Sequence, residues 1–311
     1  MKLIIDTDPG TDDAVAILVA LANFDNEEII GITTVAGNVP VEVGTKNALR
    51  ILEFTGRAEI PVYEGCSKPI SRELITAEWV HGTDGLNNLN IPATNLKKQK
   101  LSAVDFITKE LEESNEKITI SILGPMTNIG TVIKNNPALV EKIEKVVFMG
   151  GSALRGNTTP VAEFNTYVDP EAAKIVLNSG IEIYMLGLDV TNKSITTKPR
   201  KEKLKKINNK VSDAMFHLMT SLDELPLVKE IYPEGTPVHD LLVSVFLVHP
   251  SIFTYKMVNV EVEVDSELTL GQTVVDSLGI SDRKANVNWI YDLDSDEVYN
   301  VLFDSANKLN Q

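Results

Sequence analysis

The sequence is short of cysteine, histidine and positive charge. Cys66 is the single cysteine, which excludes an internal disulfide, a CxxC redox pair and a thiolate zinc cluster, and fits a reducing, cytoplasmic compartment. Lysine and arginine number 29 against 44 aspartates and glutamates, for a net charge of −15. Such a surface repels phosphate backbones and anionic lipid, so a small or neutral partner is expected in place of nucleic acid or membrane. Long apolar runs are missing too: the stretch from Leu241 to Val248 is far too short to span a bilayer. The amino-terminal MKLIIDTDPG carries neither an apolar signal-like segment nor a small-residue cleavage site. With 43% hydrophobic and 23% charged residues, the chain can nevertheless bury a sizeable core, which excludes global disorder.

Over the first two thirds, short β-branched runs alternate with helix-period segments. Strands are expected at residues 2–6, 29–35, 60–63, 118–123, 146–149 and 181–186, most of them apolar throughout, as strands covered on both faces are. Helical patterns fall at 12–23, 40–54, 103–113, 126–134 and 170–178, and Pro40 and Pro170 suit a first helical position. This alternation predicts an α/β fold with a doubly wound, mostly parallel sheet, helices on both faces and a small antiparallel extension. Beyond Thr191 the pattern reads as a charged surface helix over 199–222, an apolar helix over 239–248, alternating strands over 253–264 and 285–291, and a last helix near 295–309. No linker, repeat or low-complexity stretch divides residues 1–311, so one domain is expected.

In an open parallel sheet, ligands bind beyond the carboxyl ends of the strands. After the first strand stands Asp6-Thr7-Asp8-Pro9-Gly10-Thr11-Asp12-Asp13-Ala14, with four carboxylates in eight positions. Pro9-Gly10 makes the turn, and Asp12 and Asp13 fall at the positive end of the next helix. One such aspartate would be an ordinary helix cap. Four raise one another's pKa unless a cation sits between them, since unit charges ~4 Å apart interact by roughly 4 kcal/mol even at an effective dielectric near 20. An all-oxygen set points to Ca2+ or Mg2+ rather than zinc. An EF-hand is excluded, because Gly10 lies at the wrong offset from Asp6 and Ile17 would occupy the twelfth position.

Two enzyme classes can use this cluster. A Mg2+-dependent phosphatase of the haloacid dehalogenase type also ends a strand in Asp-x-Asp, with Asp6 as nucleophile, Asp8 as acid/base and Asp189 supplying the later metal-binding acid. The second is the nucleoside hydrolase family, inosine-uridine preferring type, which the sequence resembles more closely. The signature Asp-x-Asp-Pro-Gly-x-Asp-Asp-Ala is unbroken here. Further matches run through Thr33–Asn38, His81-Gly82, Gly124–Ile129, Phe148–Gly151, Val161–Asn165, Asp169–Ala173 and Val238-His239-Asp240.

The resemblance implies a calcium-dependent hydrolysis of the N-glycosidic bond of ribonucleosides, in nucleoside salvage, by a homodimer or homotetramer. It assigns Ca2+ to the side chains of Asp8, Asp13 and Asp240 and the main-chain carbonyl of Leu123, with Asp8 also the general base toward the attacking water. Asp12, Asn38, Asn157, Glu163 and Asn165 would bind the ribose, Met149 would pack under it, and Phe164 belongs to the same substrate-binding set. His239, beside Asp240, is the candidate for protonating the leaving base. His81 would lie on a mobile loop that closes near the base, and Tyr232 could stack on it. A pair of histidines resembles the inosine-uridine and pyrimidine-preferring branches, whereas Trp79 and Trp289 keep open the purine-specific branch, which stacks its base between tryptophans.

Overall fold

The computed structural model describes residues 1–309. In chain order the elements are β1 (Lys2–Thr7), α1 (Thr11–Asn23), β2 (Ile29–Thr34), α2 (Val41–Thr55), β3 (Val62–Glu64), α3 (Glu78–His81), α4 (Ala103–Glu113), β4 (Ile118–Ile122), α5 (Thr127–Asn135), β5 (Ile143–Met149), α6 (Phe164–Val168), α7 (Pro170–Leu177) and β6 (Ile183–Leu186). There follow α8 (Leu188–Thr191), α9 (Lys198–Ile207), α10 (Lys210–Thr220), α11 (Pro226–Ile231), α12 (Leu241–Val248), β7 (Phe253–Val258), β8 (Val260–Val262), β9 (Thr273–Val275), β10 (Val287–Leu293) and α13 (Ser295–Lys308).

Eight strands form one sheet in the order β3-β2-β1-β4-β5-β6-β10-β7, parallel except at β7, which runs antiparallel to β10. β8 and β9 make a separate antiparallel pair. From β1 the chain winds outward to β2 and β3, then returns to place β4, β5 and β6 on the other side. The reversal falls between β1 and β4, and the crevice beyond their carboxyl ends is where a doubly wound sheet accepts a ligand.

Side-chain alternation along the central strands feeds two cores. Leu3 and Ile5 of β1, with Val147 and Met149 of β5, pack in the core shared with α1, α2, α10, α12 and α13. Ile4, Val146 and Phe148 point the other way and join Ile120 and Ile122 in the core under α4, α5 and α7. Being covered on both faces explains why these strands read as continuous apolar runs. α1 is buried nearly all round, from Ala14 to Leu21, because α12, α13 and α10 pack against it as well as the sheet.

The structure differs from the sequence expectation in the last third. The span 199–222 is two helices, divided where Asn208 takes a left-handed conformation (φ 55°) and ends α9. Asn209 then caps α10, accepting from the Val211 and Ser212 amides. α10 buries Val211, Met215, Leu218 and Met219, so its amphipathic face meets the core. The span 253–264 likewise divides into β7 and β8, which belong to different sheets. Pro40 caps α2 from outside, whereas Pro170 does occupy the first turn of α7. Among the described residues, no helix is long and apolar enough to cross a membrane.

Candidate active site

A cavity of about 400 Å³ opens over the carboxyl ends of β1, β4 and β5. Its floor is built by the turn after β1. Asp13, in the first turn of α1, accepts from the Thr7 hydroxyl (2.6 Å), the Gly10 and Asp8 amides (3.0 and 3.2 Å) and the Asn38 side-chain amide (2.9 Å). Asp8 Oδ2 accepts from the Asn38 backbone amide at 2.6 Å. The turn tolerates no side chain at two glycines facing it: a Cβ on Gly37 or Gly124 would lie 2.1 or 2.3 Å from an Asp8 oxygen. Asp8 and Asp13 are wholly buried, one layer behind the cavity wall, while Asp12 and Asp240 line it.

Asp240 arrives from far along the chain, at the start of α12. That helix lies on α1, tied to it by the Ser244 hydroxyl donating to the Ala16 carbonyl (2.7 Å). Carboxylate oxygens of Asp12, Asp13 and Asp240 consequently come within 4.8 Å of one another. Asp8 Oδ1 and Asp240 Oδ1 are buried without a hydrogen-bond partner. Burial, reinforced by the neighbouring acids, holds the Asp8 and Asp240 carboxyls well above the usual carboxylate range. Buried, unsatisfied anionic oxygens are costly. An all-oxygen donor set with two orphaned carboxylate oxygens fits a hard divalent cation.

The remaining polar wall comes from β4, β5 and α6. The Asn165 amide donates to the Leu123 carbonyl (2.8 Å) and the Met149 carbonyl (3.3 Å), and all three residues line the cavity. Glu163 also reaches it, yet its carboxylate caps α6, accepting from the amides of Gly151, Asn165 and Thr166 and the Thr166 hydroxyl. Asn38 is similarly engaged with Asp8 and Asp13, so both residues hold the wall in shape. Asn157 is exposed at the rim, its Oδ1 accepting from the Phe164 amide (3.0 Å), and Phe164 lies beside it.

On the opposite side sit His239, His81 and Tyr232. His81 is already docked rather than swung out: its Nδ1 accepts from the Thr11 amide (3.2 Å) and lies 3.0 Å from the Thr11 hydroxyl. Two residues of the β6 connection hold the others. Thr191 Oγ1 lies 2.7 Å from His239 Nδ1, with no hydrogen-bond partner for Nε2 among the described residues, and Asn192 Oδ1 accepts from the Tyr232 hydroxyl at 2.7 Å. Burial lowers the His239 pKa. Asp189 in the same short helix accepts from the Ser152 hydroxyl and the Ala153 amide, fixing the loop that leads to Asn157. Sequence reasoning passed over Thr191 and Asn192, because a four-residue helix shows no periodicity and neither residue stands in a motif. Trp79 is 65% exposed at the cavity rim. Trp289 lies in β10 under Lys256 and does not line the cavity.

The phosphatase alternative is not supported. Asp6, its nucleophile, is sealed inside the sheet, accepting from the Thr33 hydroxyl and the Asn128 amide (2.5 and 2.7 Å). Asp189, its later metal ligand, is committed to Ser152 and Ala153.

The sequence profile of the inosine-uridine preferring nucleoside hydrolases matches residues 3–300. The pyrimidine-specific ribonucleoside hydrolase RihA of Salmonella gallinarum is 40% identical over 302 residues, covering 97% of each chain. Among solved structures, the purine-preferring ribonucleoside hydrolase of Gardnerella vaginalis superposes with a TM-score of 0.90 at 30% identity, over 100% of this chain and 99% of that one. A plant nucleoside hydrolase, PpNRh1, also gives 0.90 at 32% identity, over 98% of both. The profile match and the structural likeness thus both extend over essentially the full chain, which belongs to the inosine-uridine preferring nucleoside hydrolase family and is a hydrolase of N-glycosyl bonds.

Proposed function

We propose that the chain hydrolyses ribonucleosides to ribose and free base, with calcium held by Asp8, Asp13, Asp240 and the Leu123 carbonyl. The observation that carries this reading is the pair of buried, partnerless oxygens on Asp8 and Asp240, from opposite ends of the sequence. When bound, the ion supplies positive charge that grips vicinal hydroxyls and acidifies water.

The protein's own groups divide the remaining work. The C1′–N bond breaks, water contributes oxygen to C1′, and the base leaves with a proton. Asp8 accepts the proton of the attacking water, its carboxylate oriented by the Asn38 backbone amide at 2.6 Å. Asp12 accepts from a ribose hydroxyl, while Asn157 and Asn165 bind the rest of the sugar and Met149 packs beneath it. Asn38 and Glu163 keep these groups in register. His239, with Nδ1 on Thr191, offers Nε2 to the departing base, and His81 closes the same side. Incubation with inosine, uridine, cytidine and adenosine, scoring ribose with and without a chelator, tests the reading. Ribose release abolished by chelation and restored by calcium is expected; no release from any nucleoside would overturn it.

A further inference from the structure

Relatives and structural neighbours differ in the base they prefer, and the base-side wall of this cavity carries a group with no assigned role. Asn192 lines the cavity and is half-buried. Its Oδ1 is occupied by the Tyr232 hydroxyl at 2.7 Å, and its backbone amide by the Leu188 carbonyl. Its Nδ2, carrying two N–H donors, has no hydrogen-bond partner among the described residues. The adjacent Thr191 holds His239, so the free amide sits one residue from the anchor of the leaving-group side.

We propose that Asn192, oriented by Tyr232, is a specificity-determining residue that reads a carbonyl oxygen on the nucleobase and so favours oxo bases over their amino counterparts. This rests on the hydrolase reading above. The two N–H groups donate to the C4 oxygen of uracil or the C6 oxygen of hypoxanthine, whereas cytosine and adenine present an amino group at that position and would leave donor facing donor. Tyr232, which lines the same cavity, is then the residue that positions the amide.

The test compares kcat/KM for uridine against cytidine and inosine against adenosine in wild type, Asn192→Asp and Asn192→Leu, with p-nitrophenyl riboside as a substrate that has no such carbonyl. The wild type should favour the oxo member of each pair by about tenfold or more, the effect of one oriented hydrogen bond against an unpaired one. Asn192→Leu should level the ratios, and Asn192→Asp should invert them by exchanging donors for an acceptor. Turnover of p-nitrophenyl riboside should fall less than that of uridine or inosine in both. Tyr232→Phe should shrink the ratio without inverting it. If wild type cleaves nucleosides but both Asn192 variants lower all substrates equally, p-nitrophenyl riboside included, the residue is structural and the inference fails. If wild type cleaves none, it is the hydrolase reading that fails.

Discussion

On the reading proposed above, Asp8 concentrates the chemistry of the site in one buried carboxylate. Asp8→Ala should lower kcat by three orders of magnitude or more (~10³), since it removes a base and a cation-binding oxygen together; turnover above about a tenth of wild type would contradict both roles. Asp8→Asn should do the same to kcat while leaving the chelated protein as stable as wild type or more so. The reason is that it removes a carboxyl whose ionisation is opposed by burial and by the neighbouring Asp13. Differential scanning calorimetry in chelator reads this directly. His239→Ala should slow inosine or uridine while sparing p-nitrophenyl riboside, whose leaving group needs no proton; equal losses on both would refute the acid role. The acidic cluster itself was largely legible in the sequence, because Asp8, Asp12 and Asp13 stand in one turn and Asp240 in one motif with His239. What was not legible was which groups are free. Glu163 and Asn38 line the cavity as expected of sugar ligands, and each also spends several hydrogen bonds on the wall itself. The availability of a polar atom depends on long-range neighbours that a local pattern does not contain.

The same limit governs the elements. Central strands such as β1 and β4 were readable because burial on both faces leaves a continuous apolar run, and the α7 start was marked by Pro170. The two-helix break at Asn208 was not, because a left-handed asparagine leaves the flanking periodicity almost intact. β9 and α8, with three and four residues, are too short to carry a period at all. Yet α8 fixes much of the base-side geometry: Asp189 ties it to the loop before Asn157, Thr191 to His239 and Asn192 to Tyr232. Asp189→Ala should therefore loosen the sugar side selectively. Loss of the Ser152 and Ala153 anchors should raise KM for every nucleoside by about tenfold, whatever the base, with a smaller fall in kcat. A change in base preference with KM unaltered would show that the loop is held by other contacts, of which Thr273 to Ser152 is the available one.

Across the whole molecule, the carboxylates beneath the cavity set a balance between folding and cation binding. In metal-free protein, burial pushes Asp6 up from 3.8 to about 7 and holds Asp8 and Asp240 well above the ordinary value, mutual repulsion adding to the effect for the latter two. A folded carboxyl with a raised pKa binds its proton more tightly than the unfolded chain does. Its stabilising effect is complete below the unfolded value near 3.8 and is lost as pH climbs through the folded value. Thermal stability in chelator should therefore decline steadily from about pH 4 to pH 7, the range that this linkage spans for Asp6. On the proposed reading calcium should reverse the trend, because it would bind the ionised form and the folded state only, with a stabilisation that grows with concentration as mass action requires. The rise in Tm on adding calcium should accordingly be larger at pH 8 than at pH 5.5, and Asp240→Asn should reduce it at both. A calcium-induced shift independent of pH and unaffected by Asp240→Asn would place the ion elsewhere and leave the two orphaned oxygens without an explanation.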